Sequence, residues 1–257
     1  MARARALTIA VSAALLAVPA AYGQSGAPDD ADQRQVSWKQ LPANLLSDQK
    51  KIWTFPAQVA HGRYWLPVLA VVGTTAALIA TDAKTAGYFR GTPMYSGFNR
   101  VFNGNATMAG TLIAPIGLYV TGLARKDSYA THTALLAGEA VADAEVLTTV
   151  LKDIDKRSRP ASFAPGANLN DSWFESSGNP LRGTGSFPSG HTIAAFSVAT
   201  VVARRYGHHY RWVPYVAYGL AATVGFSRLT LSAHFLSDVF AGATFGYTIG
   251  RFSVLRQ

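Results

Sequence analysis

The stretch Ser227–Asp238 holds an arginine, a histidine and an aspartate at spacings that suit catalysis. His234 and Asp238 are four residues apart, so on a helix both side chains project from the same face. A carboxylate in that position holds the imidazole in one tautomer, which leaves the other ring nitrogen free to act as a nucleophile or a general base. Arg228 lies upstream and can supply positive charge. A core histidine capped by a nearby aspartate is the alternative for this stretch alone.

The stretch Ser186–His191 reads Ser-Phe-Pro-Ser-Gly-His and precedes an apolar run that predicts a helix. The first backbone N–H groups of a helix have no partner within the helix, so they form a ready site for an anion. Ser189 and Gly190 can both donate to one oxygen of such an anion, and His191 adds a titratable proton. A serine before a helix is usually only a cap, so this stretch needs support from elsewhere in the chain.

Two further cations, Lys152 and Arg159, flank six residues at the end of another predicted helix, and Pro160 follows them. One cation can lie on the last helical turn and the other on the loop, so both can reach a common point. Cations at a helix end usually complement its dipole on a solvated surface. Combined, the three stretches supply three cations for the equatorial oxygens of a phosphoryl group, two neutral donors, and histidines for the two in-line positions.

The order and spacing of these stretches strongly resemble the type 2 phosphatidic acid phosphatase family. Its superfamily includes bacterial class A acid phosphatases and vanadium-dependent haloperoxidases, and its pattern is Lys-x6-Arg-Pro, Pro-Ser-Gly-His and Ser-Arg-x5-His-x3-Asp. All three motifs are complete here, and the resemblance covers about residues 135–250. Ala161 and Ser162 follow the Arg-Pro pair, where class A acid phosphatases usually carry Phe. This departure weakens an assignment to a broad-specificity acid phosphatase.

The resemblance implies a role for each motif residue. His234 is expected to attack phosphorus and form a phosphohistidine, while Asp238 orients and polarises its ring. His191 is expected to protonate the departing oxygen. The residues expected to stabilise the phosphoryl oxygens are Lys152, Arg159, Ser189, Gly190 and Arg228.

The activity implied by this resemblance is that of a metal-independent phosphatase. Its substrate would be a phosphomonoester carried by a small molecule or a lipid, or an isoprenoid diphosphate. Neither a metal nor another cofactor is expected, because three fixed cations take the place that Mg²⁺ fills in other phosphoryl-transfer enzymes. Vanadate would then be an inhibitor. The alternatives are a haloperoxidase, in which vanadate is the cofactor, and a non-catalytic phosphate-binding module, which would have no use for both in-line histidines.

Helices must position these residues, since no stretch alternates apolar and polar residues between turn signals as strands do. We predict an all-α fold, a helical bundle of about six or seven helices with a haloperoxidase-like core. A long irregular connection at residues 157–187 separates two of the motifs, and loops of such length are usually functional or disordered. We assign it to substrate access, with Trp173 and Phe174 as candidate contacts; two aromatic residues that fix a loop to the surface are the alternative.

Two apolar runs lie at residues 64–80 and 108–124. Each is about 17 residues long, which is the lower limit for a helix that crosses a membrane. The same runs suit buried helices of a soluble bundle, so the sequence leaves both readings open. The run 134–152 is different, because Glu139, Asp143 and Glu145 interrupt its apolar pattern and would be expensive to expose to lipid. We expect this helix to be lined by protein.

Residues 1–23 have the pattern of a cleaved export signal, with arginines, an apolar run and then small residues. We therefore expect the mature chain to start near Gln24. A polar leader and an amphipathic segment follow at 24–60, and the phosphatase domain occupies 61–257, with its motif core at 135–250. The amphipathic segment either lies on a membrane surface or packs on its own domain. The enzyme would work in the periplasm or facing it, either free or associated with the membrane.

The composition limits the partners. With 257 residues and 49% hydrophobic content, the chain can bury one large core. Removal of Arg3 and Arg5 with the export signal leaves 21 basic and 14 acidic residues, a net charge of +7, which suits an anionic partner. Nucleic acid is not expected, because the basic residues are scattered. The absence of cysteine excludes disulfides, and the oligomeric state is left open.

Overall fold

The protein is helical throughout the part that the computed structural model describes, which is residue 34 and residues 36–175 and 183–255. These residues form eight α-helices and no strand. The helices are α1 (Leu41–Ala60), α2 (Trp65–Gly91), α3 (Ser96–Val101), α4 (Gly104–Arg125), α5 (Ser128–Asp155), α6 (Gly190–Tyr206), α7 (Val213–Thr230) and α8 (Leu236–Thr248). A 3-10 turn at Pro160–Ser162 follows α5, and a π-helical turn at Ile249–Val254 continues α8. The all-α prediction is confirmed, and the short α3 was not among the expected helices.

Helix α6 is the central element of the bundle, since fourteen of its seventeen residues are buried and it packs against α5, α7 and α8. Glycines allow α8 to approach it closely. A Cβ at Gly242 would lie 2.9 Å from the carbonyl oxygen of Ser189, and one at Gly246 would lie 2.4 Å from that of Ile193. The two helices therefore run in parallel. Their N-termini are adjacent, and the backbone N–H of Ser189 donates to the carbonyl oxygen of Asp238 at 3.1 Å.

Helices α2 and α4 are, by length and composition, long and apolar enough to cross a membrane. Only Asp82 and Ala86 are buried among the 27 residues of α2. Large apolar side chains on both helices face outward, for example Leu69, which is 59% exposed, and Ile116, which is 60% exposed. A central helix of a soluble bundle would bury such residues. The exposed apolar surface therefore fits association with a membrane.

Helix α1 is attached to the bundle by charges more than by an apolar face. The buried Arg34 guanidinium pairs with Asp48 of α1 at 2.5 Å and with Glu139 of α5 at 3.0 Å. Large apolar residues of α1, such as Leu46 and Trp53, are exposed instead. Arg34, which composition assigns to the polar leader, is thus part of the folded protein. The predicted export signal and most of the leader lie outside the described residues.

The acidic cluster of Asp48, Glu139 and Asp143 brings three buried carboxylates within 4.8 Å of one another. Such spacing suits a cation. Arg34 and Lys51 already supply two positive charges there, and the Lys51 ammonium lies 3.1 Å from Asp48. Of the three acids of the 134–152 run, Glu139 and Asp143 are surrounded by protein as expected from the sequence, whereas Glu145 is exposed.

Candidate active site

All eight residues that the motifs predict lie together where helix ends meet. Lys152 lies near the end of α5, Arg159 precedes the 3-10 turn, Ser189, Gly190 and His191 begin α6, Arg228 ends α7, and His234 and Asp238 lie at the start of α8. Charge interactions connect successive members of this set, including Lys152 with Arg159, and Arg159 with Arg228. Clustered cations beside a helix N-terminus form a site for an anion.

His234 is held by a main-chain carbonyl group more closely than by a carboxylate. Its Nδ1 atom lies 2.7 Å from the carbonyl oxygen of Ser186 and 3.5 Å from Oδ2 of Asp238. A proton on Nδ1 therefore donates to Ser186, and the neutral ring carries its lone pair on Nε2. Burial lowers the pKa of His234 to about 4, although Asp238 opposes the shift. The ring is neutral near pH 7 and suited to nucleophilic attack.

Asp238 is connected to His234 both directly, at 3.5 Å, and through Ser186. Helix α8 begins only two residues after His234, so the two side chains do not share a helical face as their spacing predicts. Oδ2 of Asp238 accepts the Ser186 hydroxyl at 2.5 Å and the backbone N–H of Phe235 at 2.8 Å. Although burial acts in the opposite direction, His234 and Arg157 hold the pKa of Asp238 below its usual range. The carboxylate is thus a fixed, ionised support.

The three predicted phosphate-binding cations are withdrawn from solvent. Burial lowers the pKa of all three side chains, that of Lys152 to about 8 and that of Arg228 to about 10. The Nε atom of Arg159 is buried without a hydrogen-bond partner in the described part of the chain. A phosphoryl group would both satisfy such a donor and compensate the positive charge.

His191 faces the first residue of α4. Its Nε2 atom lies 3.1 Å from the carbonyl oxygen of Gly104. Burial, followed by the charge of Arg228, lowers the pKa of His191 to about 4. A nearby negative charge, such as that of a bound phosphoryl group, would favour protonation of this ring. Arg228 donates to the carbonyl oxygen of Phe102 at 3.0 Å, so the segment 102–104, which leads into α4, contacts two site residues through main-chain atoms.

Ser189 and Gly190 form the N-terminus of α6 that faces this site. The Ser189 side chain is fully buried and accepts the Thr192 hydroxyl at 2.8 Å. Gly190 permits a close approach between α6 and α5, because a Cβ there would lie 2.9 Å from Cγ2 of Thr148 and 3.8 Å from Nζ of Lys152. The glycine therefore brings the lysine and the helix N-terminus to one place.

Arg157 and Asp82 were not among the predicted site residues. Nη1 of Arg157 donates to Oδ1 of Asp238 at 2.6 Å, and Nη2 donates to Oδ2 of Asp82 at 2.7 Å. Arg157 lies inside the Lys-x6-Arg-Pro motif at a position that the motif leaves unspecified. Asp82 is the single acid of the apolar helix α2, and a lone acid in such a helix is a signal of function.

The two aromatic residues proposed as substrate contacts occupy different settings. The Trp173 ring lies 4.3 Å from the guanidinium carbon of Arg157 and 5.5 Å from the Phe187 ring. Phe174 is 72% exposed. Trp173 therefore supports the arginine beside the site, and residues 176–182 of this connection lie outside the described part of the chain.

Comparison with known proteins agrees with the motifs. Residues 133–257 match the family model of the PAP2 superfamily, and this range contains all eight predicted site residues. This match supports the resemblance to the type 2 phosphatidic acid phosphatase superfamily that the sequence motifs predict.

Two individual proteins are similar to this chain. A lipid A 1-phosphatase from Porphyromonas gingivalis is 40% identical over 65 residues, which are 25% of this chain and 15% of that protein. The chain thus matches only a small part of that relative's length. A crystal structure of a transmembrane PAP2 type phosphatidylglycerolphosphate phosphatase from Bacillus subtilis is 22% identical, with a TM-score of 0.48, and the match covers 72% of this chain and 92% of that one.

Proposed function

We propose that this protein is a metal-independent phosphatase that hydrolyses the phosphomonoester of a lipid phosphate. One observation carries this proposal: the Nδ1 atom of His234 is occupied by Ser186, so the neutral ring keeps its Nε2 lone pair for a substrate. The same site holds the cations Lys152, Arg159 and Arg228, whose pKa values burial lowers, and the N-terminus of α6, which suits the charge that develops on a transferring phosphoryl group.

The reaction has two displacement steps. In the first, Nε2 of His234 attacks phosphorus, the bond from phosphorus to the ester oxygen breaks, and His191 gives a proton to that oxygen. In the second, His191 takes a proton from a water molecule whose oxygen attacks phosphorus, and the bond from phosphorus to nitrogen breaks. Inorganic phosphate and an alcohol are the products. Lys152, Arg159 and Arg228, together with Ser189 and Gly190, stabilise the equatorial oxygens in both steps.

The surface of the protein supports a lipid as the carrier of the phosphate. Helices α2 and α4 expose apolar side chains along lengths that can cross a membrane. The relative from Porphyromonas gingivalis is named for action on lipid A, a phosphorylated lipid. With the export signal predicted at residues 1–23, the site would face the periplasm.

Phosphoenzyme trapping tests this proposal. The chain from Gln24, purified in detergent, is mixed with a lipid phosphate labelled with ³²P, and acid-labile label on the protein is counted. We expect label on the wild type and on His132→Ala, a control on an exposed histidine of α5, but none on His234→Ala. Turnover of lipid phosphates without label on His234 would contradict the mechanism. Oxidation of halide by the vanadate-loaded protein, without turnover of any phosphate ester, would contradict the function.

Fractionation of the native host tests the location. We expect the protein to stay with membranes after washes in high salt and in alkaline carbonate, because two apolar helices hold it there. N-terminal sequencing should begin near Gln24. A chain that begins at Met1 or Ala2 would contradict the export signal, and release by carbonate would contradict insertion into the membrane.

A further inference from the structure

Arg157 is buried, and each of its three side-chain nitrogen atoms is hydrogen-bonded. Nε donates to the Ser172 hydroxyl at 3.2 Å, and Nη2 donates to Asp82 at 2.7 Å. Nη1 donates to the Ser237 hydroxyl at 2.8 Å and to Oδ1 of Asp238 at 2.6 Å. Only 1% of this residue is exposed, so its orientation is fixed.

Two aromatic rings cover the Arg157 guanidinium. Its central carbon lies 4.3 Å from the centre of the Trp173 ring and 4.0 Å from the centre of the Phe235 ring. Such stacking suits the planar, weakly hydrated guanidinium better than a lysine ammonium. With its nitrogen atoms engaged and its faces covered, Arg157 cannot serve as a phosphate ligand. In this respect it differs from Arg159, whose Nε has no partner among the described residues.

Asp82 fixes the other side of this arginine. Besides its pair with Arg157, it accepts the backbone N–H of Ser237 at 3.0 Å and the Ser237 hydroxyl. It is 2% exposed, although α2 is otherwise almost entirely on the surface. A charged residue on an apolar helix is expensive to bury without a partner. The presence of an acid on this apolar helix is therefore explained by its bonds to Arg157 and Ser237.

We propose that Arg157 and Asp82 are positioning residues of the hydrolytic site: Asp82 holds the Arg157 guanidinium, which fixes the Asp238 carboxylate and, through Ser186, the ring of His234. The chain of contacts is continuous. The Ser186 hydroxyl donates to Asp238, its carbonyl group accepts from His234, and its backbone N–H donates to the carbonyl oxygen of Arg157 at 2.7 Å. The inference rests on the proposed phosphatase function.

The arginine also balances charge near the nucleophile. The other charged or titratable groups that act on His234 are Asp238, Lys152, Arg159 and His191. Without Arg157, the uncompensated Asp238 would favour the protonated ring and raise the pKa of His234. Without Asp82, Arg157 would compensate Asp238 more fully and the pKa of His234 would not rise. The loss of Arg157 is therefore expected to raise the pH at which the nucleophile becomes protonated, and the loss of Asp82 is not.

Kinetics of the full mature chain on a water-soluble aryl phosphate test the proposal. We expect Arg157→Gln to lower kcat at least about tenfold with KM changed by less than about threefold, because the side chain does not reach the substrate. The acid limb of the pH profile should move up by about one pH unit. In Asp82→Asn, kcat should also fall, but the acid limb should stay or move down. Arg157→Lys should recover part of kcat.

Arg205→Gln is the matched control, because Arg205 is a buried arginine stacked on Tyr129 and bonded to Thr133, in a part of the bundle that the mechanism does not use. It should lower the melting temperature without moving the pH profile. If kcat of Arg157→Gln falls only in proportion to the fraction of folded protein, the role of Arg157 is structural and the proposal is overturned. A rise in KM alone would overturn it as well, since Arg157 would then bind substrate.

A measurement without turnover separates this proposal from the proposed function. The His234 ring is titrated by NMR in the wild type, Arg157→Gln and Asp82→Asn, with His234→Gln used to assign the signal. We expect a raised His234 pKa only in Arg157→Gln. This result would support the positioning network even if no phosphate ester were hydrolysed. An unchanged His234 pKa in folded Arg157→Gln would overturn the network even in an active phosphatase.

Discussion

The Nδ1 atom of His234 lies 2.7 Å from the main-chain carbonyl oxygen of Ser186, while the nearest carboxylate oxygen of Asp238 is 3.5 Å away. A carbonyl group cannot be removed by a side-chain substitution. The tautomer of His234 is therefore fixed by the backbone, and Asp238 holds that backbone segment through the Ser186 hydroxyl.

Asp238→Asn should accordingly be less damaging than the loss of His234. In catalytic triads the loss of the carboxylate misplaces the imidazole proton and costs about 10⁴-fold in kcat, whereas we expect about 10²-fold here. His234→Ala should abolish turnover. Steady-state kinetics of both variants, with Asp171→Asn on an exposed loop as control, measure the difference. Equal loss in Asp238→Asn and His234→Ala would show that the carboxylate, and not Ser186, sets the tautomer.

His191 should matter in proportion to the need of the leaving group for a proton. An alkyl alcohol needs one, but an activated aryl group departs as its anion. His191→Ala should therefore reduce kcat/KM by about 10²-fold or more on an alkyl phosphate and by much less on an aryl phosphate. His234→Ala should affect both esters alike. If His191→Ala depresses both esters equally, His191 is a phosphate ligand or a structural residue.

Lys152 should set the basic limb of the pH profile. Burial, aided by Arg159, lowers its pKa to about 8, so its positive charge is lost as the pH rises through that value. The Lys152→Arg variant keeps the charge, and we expect its basic limb at higher pH. Lys156→Arg, at an exposed position, should leave the limb in place. If the basic limb of the pH profile is unchanged in Lys152→Arg, a group other than Lys152 is responsible for it.

Gly190→Ala should disturb the site through a single methyl group. Its Cβ would lie 2.9 Å from Cγ2 of Thr148, so either the Thr148 side chain or the start of α6 must shift. We expect kcat/KM to fall by about tenfold or more, since a small misplacement in an active site is expensive. Gly219→Ala, where a Cβ meets nothing within 4 Å, is the control. The double variant with Thr148→Ser lacks the opposing methyl group and should recover activity; failure to recover would locate the damage elsewhere.

Removal of divalent metals should leave the activity unchanged, because the cations of the proposed mechanism are side chains. The assay compares rates before and after EDTA, and then after addition of Mg²⁺ or Zn²⁺. Vanadate should inhibit competitively, since its five-coordinate form resembles the transferring phosphoryl group. Loss of activity with EDTA that a divalent ion restores would contradict the mechanism.

The sequence predicts which residues the fold brings together where the signal is local. The motif residues occur in three short stretches, and each stretch lies at a helix end, so local rules bring the right groups to the right kind of position. The four-residue spacing of His234 and Asp238 correctly places the carboxylate beside the imidazole, at 3.5 Å, but the two residues do not share a helical face, because α8 starts after the histidine. Contacts to main-chain atoms, such as that of His191 with Gly104, cannot be predicted from motifs, because every residue type has a backbone carbonyl group.

The exposed apolar surface of α2 and α4 could not be predicted from the sequence either, because a buried helix and a lipid-facing helix have similar compositions. Only packing distinguishes them, and α2 packs through little more than Asp82 and Ala86. The pair between Asp82 and Arg157 joins residues that are 75 positions apart, in segments that share no motif.

The separation of Asp82 and Arg157 along the chain also matters while the protein is being synthesised. Asp82 leaves the ribosome 75 residues before the arginine that neutralises it. Until then the nascent chain carries an uncompensated carboxylate on an apolar helix, a state that is costly inside a membrane. Asp82 therefore meets the arginine that neutralises it only after α5 has been made, although α2 precedes α5 in the chain.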